Sequence, residues 1–236
     1  MPHRTRFYAA MGILAVALAL VGFVPGLAVP AHPRQPLTAL VGAHAVLCVA
    51  WLGFFLAQTS LVAVQRADVH RRVGWIGAAI AVALVGTGYV TALGLARRGI
   101  ALSGDPATAR DPLGELVFPL GDLVTFTVLV GAGLVWRRRR DAHARLMLFG
   151  TIGGLVPAAL AHLIGYAPAF PGRPLFLPAT LGIVYALHAA HDKLTAGRIH
   201  PLSVWLGLGV FVWANLRAVV IGPSDAWHRF VGWLVG

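Results

Sequence analysis

Val64–Gly77 reads VQRADVHRRVGWIG, and Arg137–Gly150 reads RRRRDAHARLMLFG. Each passes from arginine through Asp-x-His-x-Arg into an apolar run, with a glycine seven positions after the histidine. Asp68, His70, Arg72 and Gly77 therefore align with Asp141, His143, Arg145 and Gly150. A basic polar turn that runs directly into about 20 apolar residues marks the place where a chain enters a bilayer. Asp68 and Asp141 suit helix N-caps, because a carboxylate satisfies the free N–H groups of a first turn. Arg72 and Arg145 have the reach to snorkel to lipid phosphates, and Gly77 and Gly150 let a neighbouring helix come close.

Composition agrees with a membrane setting. The chain is 58% hydrophobic and 11% charged, and its mean hydropathy is +0.78. That charge content is too low for a soluble surface of this size. The net charge of +11 is read as basic residues sorted to one side of a membrane rather than as a nucleic-acid footprint. Cys48 is the single cysteine, so an internal disulfide and a cysteine-built zinc or iron–sulfur site are excluded. The chain has no phosphate-binding loop, dinucleotide fingerprint or nucleophile elbow. Its one lysine, Lys193, stands at a helix end beside Asp192, too shallow for a mid-membrane Schiff base.

Seven apolar stretches are long enough to span, at 7–29, 37–64, 73–96, 114–136, 144–166, 173–196 and 201–222. Short loops such as PAHPRQP and APAFPGRP separate them. The expected fold is an all-α polytopic bundle of about seven spans. With the N-terminus inside, twelve of the 19 basic residues fall on the inner side, which favours N-in/C-out. A third, weaker signature, GRIHPLSVWLG at Gly197–Gly207, opens the last stretch with His200. Helices two to seven thus read as three hairpin repeats, each with a histidine where its second helix begins. One membrane domain, 1–236, is expected: a leading helix and outer loop (1–36), a six-helix repeat bundle (37–222) and an outer interfacial segment (223–236). Val29-Pro30-Ala31 loosely resembles a cleavage site, but the preceding apolar run is long for a signal peptide, so the first helix is read as retained.

Polar residues inside the apolar runs carry the candidate chemistry, since they are costly in hydrocarbon. His44, Asp122 and His162 share one depth zone on three helices. His44 also heads a stripe with Cys48, Trp51, Phe55 and Gln58. Three chemistries fit: axial ligation of a b-type haem by His44 and His162, a divalent metal held with Asp122 as a third ligand, or proton and ion movement through an Asp/His chain. A His–Asp contact that only glues helices together is the fourth reading. Arg217 is expected to snorkel outward or to pair with Asp122, and Tyr89 to pack at the interface or bond toward the cluster. On the inner side His70, His143, His188, His191 and His200 approach one face and form a second candidate metal set, with His188 and His191 in an H-x-x-H pair.

The starts His70-Arg71-Arg72-Val73-Gly74-Trp75 and His143-Ala144-Arg145-Leu146-Met147 resemble those of a family of uncharacterised bacterial multi-span inner-membrane proteins. The likeness runs from about His44 to His200. Ala144 stands where that pattern has a basic residue, which weakens an anionic-lipid role there. The resemblance implies a multi-pass bacterial inner-membrane protein and carries no activity. The functional expectation is redox- or metal-linked membrane chemistry. The alternatives are a small proton-coupled transporter or a cofactor-free structural or assembly subunit, and whether the chain is an enzyme is left open. Membrane lipids, other membrane subunits or a quinone are the expected partners, and nucleic acid is not.

Overall fold

A chain that enters hydrocarbon must satisfy its own backbone, and helices do so within one segment. The computed structural model describes residues 2–28, 38–100, 111–165 and 173–236, and the regular structure in them is all helical. The loop PAHPRQP, most of APAFPGRP and the Val29-Pro30-Ala31 motif lie outside the described residues. The helices are α1 (Pro2–Ala28), α2 (Ala39–Ala63), α3 (Ala67–Ala96), the single turn α4 (Pro112–Glu115), α5 (Val117–Val135), α6 (Arg140–Gly165), α7 (Arg173–Ala196), α8 (Pro201–Leu216) and α9 (Asp225–Val235). A π-helical turn, Arg217–Ile221, continues α8.

Local chemistry sets several of the starts. The Thr38 hydroxyl accepts the Val41 N–H at 3.3 Å, and Ser224 accepts the Trp227 N–H at 3.2 Å. His200 caps α8 with its ring, Nδ1 accepting the Leu202 N–H at 3.1 Å, and Pro201 fills the first helical position. The capping expectation for the repeated signature needs correction. Gln65, at φ 63°, closes the turn early, so α3 is helical from Ala67 and Arg66 takes the cap position. Asp68 and Asp141 sit inside first turns, where a carboxylate favours the helix dipole instead.

Five helices, α1, α2, α3, α5 and α6, close a ring in which each touches the next, and α7 and α8 pack on the far side of α6. α6 is the hub. Trp51, Phe55, Leu84, Phe126, Val130, Leu148, Ile152, Val156 and Ala159 fill the centre, and Trp51 Nε1 donates to Thr151 Oγ1 at 3.2 Å. Gly150 and Gly154 bring α6 against α5: a Cβ on Gly154 would lie 2.6 Å from Cβ of Phe126 and 3.0 Å from its Cα. Outward positions such as Val46, Val82, Val128 and Val219 are apolar and exposed, as a lipid-facing surface requires.

Among the described residues, six helical stretches are long and apolar enough to cross a membrane: Thr5–Val24, Ala39–Ala63, Ala67–Ala96, Pro112–Val135, Arg140–Leu163 and Pro201–Ile221. The chain therefore has the build of a multi-pass membrane protein. α7, the remaining expected span, forms as a helix of 24 residues. It is not among the six, and His188, His191, Asp192 and Lys193 crowd its last part.

Ring contacts and ion pairs fix which helix ends lie together. The start of α1 meets the end of α7, where the Phe7 and His191 rings stack at 3.8 Å. The starts of α3 and α6 meet at His70 and His143, and the start of α8 joins them through Ser203 and Arg145. This is the basic end, which carries Arg66, Arg71, Arg72 and Arg137 to Arg140. At the opposite end the amphipathic α9 buries Val231 among Ala92, Leu93, Ala96 and Leu116, leaving Phe230 and Trp233 exposed. Arg97 Nε donates to the Val235 carbonyl at 3.0 Å, and His228 Nε2 lies 2.7 Å from Asp111 Oδ2.

Two predictions follow from this packing. Gly154→Ala places a methyl against the backbone of Phe126 and should cost about 1–3 kcal/mol, read as a lower unfolding midpoint in detergent. At the α9 clasp, the Ser224 carbonyl and the Asp111 carboxylate raise the His228 pKa. Burial opposes ionisation of Asp111, yet the Gly114 N–H and His228 hold its carboxyl below its ordinary value. The His228 contribution is complete below the free imidazole value of about 6.5 and is lost as pH rises through the raised value. The Asp111 contribution is lost only as pH falls through its lowered one. Amide exchange over 225–235, corrected for intrinsic rate, should therefore accelerate from about pH 5.5 to pH 8.5, and His228→Gln should abolish that dependence.

Candidate functional site

Asp122 lies on α5 in an otherwise apolar run and is buried. Its partner is Arg217, the first residue of the π-helical turn, which is 3% exposed. The Arg217 Nη2 donates to Asp122 Oδ1, while Nη1 donates to the Phe118 carbonyl at 2.9 Å. Gly121 makes room for this: a Cβ there would fall 2.7 Å from Arg217 Cδ. The Gly121 carbonyl accepts from Trp213 Nε1 at 3.2 Å and from Thr125 Oγ1 at 2.9 Å. Arg217 thus turns inward rather than outward, because a buried carboxylate needs its charge more than the interface does. Two polar atoms here have no hydrogen-bond partner among the described residues, Arg217 Nε and the Tyr185 hydroxyl. Tyr185 is close enough to feel the charges of both Asp122 and Arg217.

A second ion pair occupies the basic end. Arg145, 1% exposed, donates from Nη2 to Asp192 Oδ1 at 2.6 Å, from Nε to Ser203 Oγ at 2.8 Å and from Nη1 to the Asp141 carbonyl at 3.2 Å. Ser203 Oγ donates in turn to Asp192 Oδ2 at 2.6 Å, and the His200 N–H reaches the same oxygen at 3.3 Å. The snorkelling expectation for Arg145 is therefore overturned: its fork is spent inside, on α7 and α8. Arg72 is exposed, as expected. His188 Nδ1 lies 3.8 Å from Asp192 Oδ2, and its Nε2 is 3.4 Å from the Tyr8 hydroxyl.

One face of α7 runs from Tyr185, near the first ion pair, to Asp192 of the second. Tyr185, His188 and Asp192 follow at steps of three and four, so they lie in line on the helix. Phe149 of α6 stacks on Tyr185 at 4.8 Å and meets His188 edge-on at 5.2 Å. The crevice that these rings line with Met11, Leu148, Ile152 and Val184 has no room for a water molecule.

The other expected ligands take separate partners. His44 Nδ1 lies 3.1 Å from Thr87 Oγ1 and Nε2 lies 3.5 Å from Cys48 Sγ, on the side facing Gly88 and Leu123. His162 lies against Phe23 of α1, ring centres 5.2 Å apart. Asp122 belongs to Arg217 instead of to either histidine. At the basic end His70 and His143 are brought to 6.1 Å between ring centres. His188 joins Asp192, His191 stacks on Phe7, and His200 caps α8. Among the described residues no three His, Cys, Asp or Glu side chains group as metal ligands would. Tyr89 is exposed and takes no part in the cluster. Sequence reading missed Tyr8, Tyr185 and Ser203. The usable signal was one of charge balance: Arg145 and Asp192, one in and one beside an apolar run, each needed a partner.

No family model matches the chain, and neither a curated protein nor a solved structure matches it.

The Arg145–Asp192 pair yields a paired test. Asp192→Leu or Arg145→Met alone leaves a buried charge without its partner and should cost about 3–5 kcal/mol. The double variant should recover most of that loss, measured as the unfolding midpoint in detergent.

Proposed function

We propose that this chain is a seven-span, N-in/C-out inner-membrane protein that carries protons across the bilayer, alone or coupled to a small solute. The observation behind this reading is the file of ionisable side chains Asp122, Tyr185, His188 and Asp192, closed at each end by a buried arginine. Lines of Asp, His and Tyr inside a bundle are the usual material of proton relays, because each group can gain a proton and release one. Protonation of Asp122 removes its charge and frees Arg217. The Tyr185 hydroxyl passes a proton on by accepting one and giving up its own, and the His188 ring does so between its two nitrogens. Asp192 then delivers the proton to the basic end. Unpartnered donors at Arg217 Nε and Tyr185 fit water or a solute oxygen as the transient occupant. The π-helical turn fits as well, since such turns recur where a helix must rearrange. Phe149, between Tyr185 and His188, is the dry step that keeps the file shut at rest.

In proteoliposomes loaded with a pH-sensitive dye and given a potential, the wild type should acidify or alkalinise the lumen. Asp122→Asn and Tyr185→Phe should each slow this by about a hundredfold or more, the range typical of positioned proton-transfer groups. Phe149→Ala should raise the leak. Flux unchanged by Asp122→Asn would end the proposal. The rival proposal is redox function with haem or a metal at His44 and His162. It predicts a reduced-minus-oxidised visible band that His44→Ala removes and Asp122→Asn leaves.

A further inference from the structure

His70 and His143 begin the two copies of the repeated signature, on α3 and α6, and the fold brings their rings within 6.1 Å at an angle of 73°. The Nδ1 of His143 lies 2.8 Å from the Gly133 carbonyl. A carbonyl only accepts, so this nitrogen carries the proton and Nε2 keeps a free lone pair. Anchoring one ring nitrogen to a carbonyl is the arrangement that orients a metal-binding histidine. Nδ1 of His70 is buried with no hydrogen-bond partner among the described residues, as are both amide atoms of Gln58. A buried ring nitrogen without a partner points to an occupant, either water or an ion.

Met147 supplies the further observation. It lies four residues after His143, one turn along the same face of α6. Its Sδ is 2.9 Å from where a Cβ of Gly133 would stand, at the residue whose carbonyl holds His143. His143 and Met147 thus both meet Gly133 at the end of α5, and the His70 ring stands beside that of His143. Imidazoles that share one ion, with metal–nitrogen bonds of about 2.0 Å, place their ring centres roughly 6 Å apart. The electrostatics restrict the charge of that ion. All three ligands are neutral, and Arg71 is near enough for its charge to be felt at His70. Asp68 and Asp141 each stand two residues before one of these histidines; Asp68 is exposed and engaged with Arg66, and Asp141 is exposed at the start of α6. A single positive charge costs less there than two, and a thioether prefers a soft ion.

We propose that His70, His143 and Met147 bind one cuprous ion at the seam of α3 with the α5–α6 turn. The site is separate from the Asp122–Asp192 file and does not depend on proton carriage.

The test loads purified full-length protein with copper under ascorbate, challenges it with the Cu(I) chelator bicinchoninate, and records the copper-edge X-ray absorption. The expected result is one copper retained per chain, with nitrogen and one sulfur as neighbours. His70→Ala and Met147→Leu should each lower affinity by at least about tenfold, the loss known for partners that merely orient a metal ligand. Met147→Leu should also remove the sulfur neighbour. Leucine keeps the volume of methionine, so this variant decides the matter even where His70→Ala fails to fold. Metal-free protein, copper bound equally by the wild type and Met147→Leu, or a spectrum without sulfur would overturn the site and leave water as the occupant.

Discussion

Two buried arginine–aspartate pairs, Arg145 with Asp192 and Arg217 with Asp122, hold the outer half of this bundle in place. α8 needs them most. Only 11% of its spanning window is buried inside the protein, against 67% for α6, so apolar packing gives it little footing. One pair reaches it near its start, through Ser203, and the other just past its end, at Arg217. In hydrocarbon a separated Arg or Asp is far costlier than a paired one, which makes each contact a geometric pin. Between helices that lipid surrounds as readily as protein, directional polar contacts supply much of the specificity.

The same pairs give the bundle its chemical character. α6 carries Arg145 and Phe149, α7 carries Tyr185, His188 and Asp192, and α5 carries Asp122. The same polar groups that staple helices make up the proposed proton route, and the Phe149 ring packs beside its Tyr185 and His188. Neutralising one carboxylate at either end both loosens a pin and changes what the adjoining helix can do. On the proposed reading, stability and proton traffic would be coupled through shared atoms. The repeated histidines stand apart from this route, on the seam between α3 and α6, where an ion would tie the first ring of helices together.

Much of the architecture was legible in the sequence because lipid imposes a length. The expected stretches at 37–64 and 201–222 correspond to the spans Ala39–Ala63 and Pro201–Ile221 to within two residues. The stripe of Trp51, Phe55 and Gln58 does face inward. Charge partners were less legible. Arg145 and Arg72 occupy aligned positions in the two signatures, yet one is buried and the other exposed. Asp192 happens to lie opposite the first and nothing comparable lies opposite the second. His44, Asp122 and His162 were singled out by their depth, but depth gives no angle around a helix axis. That angle separates His44, beside Thr87, from His162, beside Phe23.

The sequence by itself determined that this is an all-helical chain built for a bilayer, roughly where its helices run, and which few residues had to be reconciled with hydrocarbon. Those features follow from hydropathy, length and cap chemistry, which are local. Only the tertiary structure decided who meets whom: Arg217 with Asp122, Arg145 with Asp192, His70 with His143. These choices depend on the rotation and contact order of helices far apart in the chain. Packing at residues such as Gly121 and Gly154 sets that rotation, through close approaches that no single segment can specify alone.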